Sequence, residues 1–154
     1  MADNLKSLAT NRKAYHDYHV EETHEAGIAL TGSEIKSVRA GSVNLRESYA
    51  LIRHREVWLM HAHIAPYDPA SRQNVDPYRE RKLLLHRGEI LRLMGKAQER
   101  GLTLLPLRMY LKNNRAKVEI GLARGKKQFD KRQTLAKREA EREMDRAVKE
   151  RGRR

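Results

Sequence analysis

The chain has 154 residues, with 33 Lys and Arg against 20 Asp and Glu, no cysteine and a formal charge of +13. That length suits one compact domain with an appendage, and the missing cysteines exclude disulfides, thiolate zinc sites and cysteine nucleophiles. Self-repulsion of so large a charge asks for an anionic partner, and with one Trp and one Phe the chain lacks the aromatic face of a membrane-surface helix, so nucleic acid is the expected partner and a membrane is not.

In chain order, residues 1–13 are polar, have no sustained period and turn basic at Arg12-Lys13, which predicts a flexible basic arm. No secretory signal pattern and no run of about 18 apolar residues is present, which predicts a soluble, cytoplasmic protein. The run Tyr15 to Leu30 mixes β-branched and aromatic residues with an irregularity at Ala26-Gly27, and predicts a strand with a bulge or tight turn. Ser33 then precedes a short helix that carries Lys36 and Arg39 on its exposed side and stops at Gly41. Ser48 to Ile52 and Val57 to Ile64, joined by RHRE, predict an antiparallel pair. Pro66 to Pro77, rich in Pro, Asp, Asn and Ser, predicts a long loop. From Lys82 to about Arg100, Leu84, Leu85, Ile90, Leu93, Met94 and Ala97 have helical spacing closed by Gly101. Leu102 to Lys112 and Ala116 to Leu122 form a second antiparallel pair with its turn at Asn113-Asn114.

Many short strands with few helices to cover them make a small antiparallel barrel the economical architecture. The expectation is a mainly β chain with short helices: an OB-like barrel with flanking helices over residues 14–123, and a basic C-terminal tail over 124–154 that is disordered when free. The last 31 residues hold 13 basic and 6 acidic side chains, more than half of the net charge. Their apolar residues are too sparse to bury a face, although Leu135 to Arg151 has good helix formers and no Pro. Ordering such a segment requires a partner that supplies negative charge and a surface for Leu135, Met144 and Val148.

Catalytic and metal readings are weak. His16 and His19, and His61 and His63, have no specific ligand spacing, and no cysteine is present to complete a set. His16 suits RNA stacking or hydrogen bonding as well as a place at a strand edge. Glu25 and Glu34 are the carboxylates flanked by apolar residues and glycines, but no nucleophile, phosphate-cradling loop or metalloprotease helix accompanies them. The chain is expected to have no enzymatic activity, metal or cofactor. The basic residues carry more weight as a set: Arg12-Lys13, Lys36 and Arg39, Arg79-Arg81-Lys82, and Lys126-Lys127 with Lys131-Arg132 lie on different elements. With Tyr15, Tyr18, Tyr67 and Tyr78 they suit phosphate contact and base stacking on folded RNA. A carboxylate on such a face must accept from a base amino group or hold a neighbouring Arg; for Glu34 a local salt bridge or helix-start role is equally open.

The stretch EAGIALTGSEIKSVR, Glu25 to Arg39, resembles the signature segment of the SmpB family, also called SsrA-binding proteins. NRKAYHDY at Asn11, DPYRERKLLL at Asp76 and GLARGKKQFDKR at Gly121 agree with the same family in the same order. The resemblance implies an OB-like barrel that binds the tRNA-like domain of transfer-messenger RNA, and a tail that becomes helical on a stalled ribosome, where it probes the decoding centre and empty mRNA channel of the small subunit. It implies elongation factor Tu as a further partner through the charged RNA. Carried over by position, Asn11, Glu25, Gly27, Lys36, Arg39 and Leu84 shape or support the RNA-binding face, Leu84 by contact or from the core. Gly125, Lys126, Lys127, Asp130, Lys131 and Arg132 match the tail motif. Phe129 stands where some relatives carry an imidazole, which keeps stacking but not hydrogen bonding.

Overall fold

The computed structural model describes residues 5–67, 75–126 and 128–152, apart from the side chains of 99–100, 128–135 and 150–152. The chain divides into two compact units, residues 1–124 and 125–154.

The first unit is mainly β. Its strands are β1 (Leu5–Thr10), β2 (Tyr18–Ile28), β3 (Val43–Asn44), β4 (Tyr49–Arg53), β5 (Glu56–Met60), β6 (His63–Ile64), β7 (Arg81–Leu84), β8 (Thr103–Lys112) and β9 (Arg115–Gly125). Three helices accompany them: α1 (Arg12–Asp17), α2 (Gly32–Arg39) and α3 (Arg87–Arg100). The main sheet runs β1-β8-β4-β5-β7-β2-β9, and β8 also pairs with β9. That extra pairing joins the two ends, so β8, β4, β5, β7, β2 and β9 close into a ring of hydrogen-bonded strands. One edge of β8 is shared, with Leu104 facing Ala50 of β4 and Arg108 to Lys112 facing β1. Inside the ring, Ala26, Val57, Leu59, Leu83, Met109, Val118 and Ile120 pack into one core with Val38 of α2 and Leu93 of α3. A smaller cluster of Ala14, Leu105, Leu107 and Ala123 seats α1.

Local chemistry sets the boundaries. The β8–β9 turn falls at Asn113-Asn114, both with positive φ, a conformation asparagine tolerates better than most side chains. Gly101 ends α3 in the left-handed conformation, its N–H bonded to the Ala97 carbonyl. A capping box starts α2, in which the Thr31 hydroxyl accepts from the Glu34 N–H and the Glu34 carboxylate accepts from the Thr31 N–H.

Four local expectations are corrected. Residues 5–10, read as part of an irregular arm, are strand β1, because the outer edge of β8 supplies backbone partners that no local pattern announces. The predicted strand from Tyr15 begins at Tyr18, since Asn11 caps a short helix through its side chain. The strand expected over Val57 to Ile64 breaks at His61, whose φ is 60°, and His63–Ile64 pairs with β3 in a separate two-stranded sheet. The helix expected from Lys82 begins at Arg87, because β7 is held between β5 and β2 by cross-strand pairing that overrides its helical spacing. Part of the expected 66–77 loop, residues 68–74, lies outside the described residues.

The second unit is helix α4 (Gln128–Gly152). The segment read as disordered when free is therefore helical here, consistent with its many Ala, Glu, Lys and Arg residues and absence of Pro or internal Gly. Its Met144 and Val148 are exposed.

Candidate nucleic-acid interface

On β2, side chains alternate: Ala26 and Ile28 point into the core, while Glu25 and Gly27 face outward. Gly27 pairs with Leu84 of β7, and a Cβ at position 27 would stand 3.2 Å from the Leu84 Cβ, so the bare backbone leaves room for that side chain. Leu84 is 52% exposed, which settles that it is not core. On β9, Lys117 is paired with Tyr110 of β8. Tyr110, Lys117, Glu25, Gly27 and Leu84 therefore form a row across four neighbouring strands, β8, β9, β2 and β7.

Two grooves meet at Gly27, Leu84 and Lys117. One, of about 330 Å³, extends toward Arg39 of α2 and Asn114-Arg115 of the β8–β9 turn. The other, of about 560 Å³, extends past Glu25 and Lys82 toward His86 and Ile90. Lys36 and Arg39 lie on the exposed side of α2; Lys36 stands 5.5 Å from the Tyr67 ring centre, and Arg39 donates to the Asn114 carbonyl at 3.4 Å. The structure thus brings together Glu25, Gly27, Arg39, Lys82 and Leu84 from the predicted set and joins them to Lys112, Arg115 and Lys117. Those three were missed because their cationic face appears only when β9 is laid beside β2.

Within this cationic surround the Glu25 carboxylate is held from two sides. Tyr110, 3% exposed, donates its hydroxyl to Oε2, and Lys112 donates to Oε1 at 3.3 Å. The tyrosine hydrogen bond, opposed by burial and aided by Lys112, holds the carboxyl below the usual carboxylate range. Burial, then the neighbouring carboxylate, pushes the Tyr110 hydroxyl up, so it remains a donor.

Other predicted residues have different work. Arg81 has no exposed side-chain surface, which rules out the expected RNA contact. It donates to Glu34 Oε2 at 2.6 Å and to the carbonyls of Ala62 at 2.7 Å and Pro77 at 3.0 Å. Arg79 donates to Glu34 Oε1 at 2.5 Å. The basic run Arg79-Arg81-Lys82 is thus divided, because strand alternation sends Arg81 inward and leaves Lys82 at the groove. Asn11 is buried and bonds to the Pro106 carbonyl at 2.9 Å, supporting α1, on which Arg12 and Lys13 are exposed and Lys13 bonds Glu47. His16 donates to Asp17 at 2.8 Å. His61 leans on Tyr49 and His63 on Tyr78, with ring centres 5.5 and 4.9 Å apart, so the two imidazoles do not share a strand face. Among the described residues no three potential ligands converge on a metal position. Of the tail motif, Gly125 ends β9 and Lys126 follows it; Lys127 is outside the described residues, and Phe129, Asp130, Lys131 and Arg132 are placed as backbone within α4.

The family model described as SmpB protein matches residues 8–150 of the chain. The chain belongs to the SmpB family. An SsrA-binding protein of this family from Carboxydothermus hydrogenoformans is 57% identical over 95% of this chain and 98% of its own length. That of Halothermothrix orenii is 58% identical, covering 98% and 97%, and that of Roseiflexus castenholzii is 60% identical, covering 95% and 93%. A solved SmpB-family structure, from work described as "tmRNA-SmpB: a journey to the center of the bacterial ribosome", superposes with a TM-score of 0.65 at 53% identity, covering 77% of this chain and 84% of that one. The architecture is therefore SmpB-like: mainly β with short helices. Among the described residues no helix is long and apolar enough to cross a membrane.

Proposed function

We propose that this chain is the RNA-binding adaptor of ribosome rescue in the bacterial cytoplasm, binding the tRNA-like domain of transfer-messenger RNA through its β-rich unit and meeting the stalled ribosome through its basic tail. The observation that carries this reading is the row Tyr110, Lys117, Glu25, Gly27 and Leu84 with Arg39, Lys82 and Arg115 around it. Cations that contact phosphates beside an exposed apolar side chain and a base-edge acceptor suit the irregular surface of folded RNA better than a regular duplex. The SsrA-binding proteins to which the chain is similar and the ribosomal context of the matching structure support the same partners. The role needs no covalent step, so we read the protein as non-catalytic; elongation factor Tu joins through the charged RNA.

The divided labour follows from the two units. The tail of α4 supplies cations and the exposed Met144 and Val148, a combination that suits docking in a cleft lined by nucleic acid. Binding of tmRNA and tRNA by full-length and truncated chains tests this. The full chain is expected to prefer transfer-messenger RNA over ordinary tRNA, and a chain ending at Arg124 to keep that preference while failing to support tagging on stalled ribosomes. Equal affinity for both RNAs sinks the partner, and loss of both properties on truncation sinks the division. Charge reversal at Arg39 or Lys117 is expected to lower the slope of log affinity against log salt by about one for each phosphate no longer neutralised.

A further inference from the structure

A carboxylate at the centre of a phosphate-binding surface is a liability unless something on the RNA requires it. Glu25 is not there to stabilise the fold through Lys112, since a partly exposed ion pair contributes little. Its geometry is specific instead. Each oxygen already accepts one hydrogen bond, Oε2 from Tyr110 and Oε1 from Lys112, and each keeps a second acceptor position. The Tyr110 ring is fixed in turn, buried and covered by the Arg108 guanidinium 4.7 Å from its centre, with Arg108 donating to Glu119 at 3.0 Å. The groove beside Glu25 also contains the exposed Leu84 and the cations Lys82 and Lys117, an apolar surface for a ring face and charges for its backbone.

We propose that Glu25, Leu84 and Lys117 form a base-reading position for one unpaired guanine, whose N1–H and N2–H donate to the two Glu25 oxygens, and that Tyr110 is the positioning residue that fixes this carboxylate. The proposal rests on the RNA-binding reading above and deepens it. Guanine alone presents two adjacent donors on its Watson–Crick edge. Uracil offers one N–H between two carbonyls, and the amino groups of adenine and cytosine adjoin ring-nitrogen acceptors that repel a carboxylate. An ionised acid is required, and the lowered carboxyl of Glu25 supplies it. Leu84 covers one face of the ring, Gly27 keeps the approach open, and Lys117 meets the phosphate.

Inosine lacks the guanine N2 amino group, so replacing guanosines singly with inosine in the RNA that copurifies with the full chain tests the proposal. One position is expected to weaken binding about tenfold, as for a hydrogen bond to a charged group. Glu25→Gln is expected to weaken the unmodified RNA by a similar factor and to abolish the inosine effect at that position. Tyr110→Phe is expected to cost several-fold in the native background and nothing further in Glu25→Gln. The guanosine-to-inosine ratio is taken within one protein preparation, so partial unfolding of a variant does not move it. Absence of any inosine-sensitive position that Glu25→Gln silences overturns the base-reading site. An equal effect of Tyr110→Phe in both backgrounds overturns the positioning role. Transfer-messenger RNA bound without inosine dependence leaves the functional reading standing while the proposal falls; a different copurified RNA with that dependence does the reverse.

Discussion

A single buried carboxylate shows how individual residues are committed. Glu34 is 3% exposed and serves three partners: the Thr31 backbone, Arg79 and Arg81. Burial acts to raise its carboxyl, but Arg79, the Thr31 N–H and Arg81 outweigh it and the net direction is down. Glu34→Ala leaves Arg81 charged and unpaired in the interior, and is expected to destabilise the β-rich unit by about 3 kcal/mol in denaturant unfolding. Restoring an apolar fit with Glu34→Leu and Arg81→Met together is expected to recover most of that loss. Because the folded carboxyl is depressed, its contribution is complete above the unfolded carboxyl pKa and disappears as the pH falls through the folded value. Acid titration of stability in the double variant should therefore be shallower than in the native chain.

Between elements, α3 is tied to β2 by an ionic clasp. Glu22 accepts from Arg92 at 3.1 Å and from Lys96, while His24 lies between Glu22 at 2.7 Å and Glu89 at 3.3 Å. The Lys96 hydrogen bond is the leading reason that the Glu22 carboxyl falls from 4.5 to about 2. This clasp is intact above the ordinary carboxyl range and is lost as the pH drops toward 2, so hydrogen exchange in α3 is expected to accelerate over that window. Glu22→Gln should remove most of that acid dependence while costing at most about 1 kcal/mol near neutral pH. The β4–β5 turn offers the opposite sign. His54 and Arg55 both have positive φ, 53° and 60°, in a two-residue turn that favours Asn-Gly. Replacing them by His54→Asn and Arg55→Gly is expected to raise stability by about 1 kcal/mol, measured as a shift in the unfolding midpoint without a change in slope.

For the whole molecule, the two units answer to different forces. Residues 5–124 contain both hydrophobic clusters, whereas Met144 and Val148 of α4 are exposed. A helix without a buried face has little beyond intrinsic propensity to hold it, and that is marginal in water. Ending the chain at Arg124 is therefore expected to leave the thermal midpoint of the body unchanged while removing only non-cooperative helical signal from circular dichroism. Adding a polyanion to the full chain should increase that helical signal. A lowered midpoint on truncation would show that the body depends on the tail.

The sequence by itself determined the class of partner, the place of the tail and the turns, because net charge, a composition shift at Arg124 and Asn113-Asn114 need no third dimension to act. It also marked Glu25, Gly27, Lys36, Arg39 and Leu84 through the family signature. Only the tertiary structure decided which cations are available. Arg81 and Lys82 are adjacent in sequence, yet strand alternation buries one against Glu34 and leaves the other at a groove. Likewise β1 exists because a distant strand edge needs backbone partners, and Tyr110 reaches Glu25 because β9 lies between their strands. Such facts depend on non-local hydrogen-bond pairing, which leaves no trace in local periodicity.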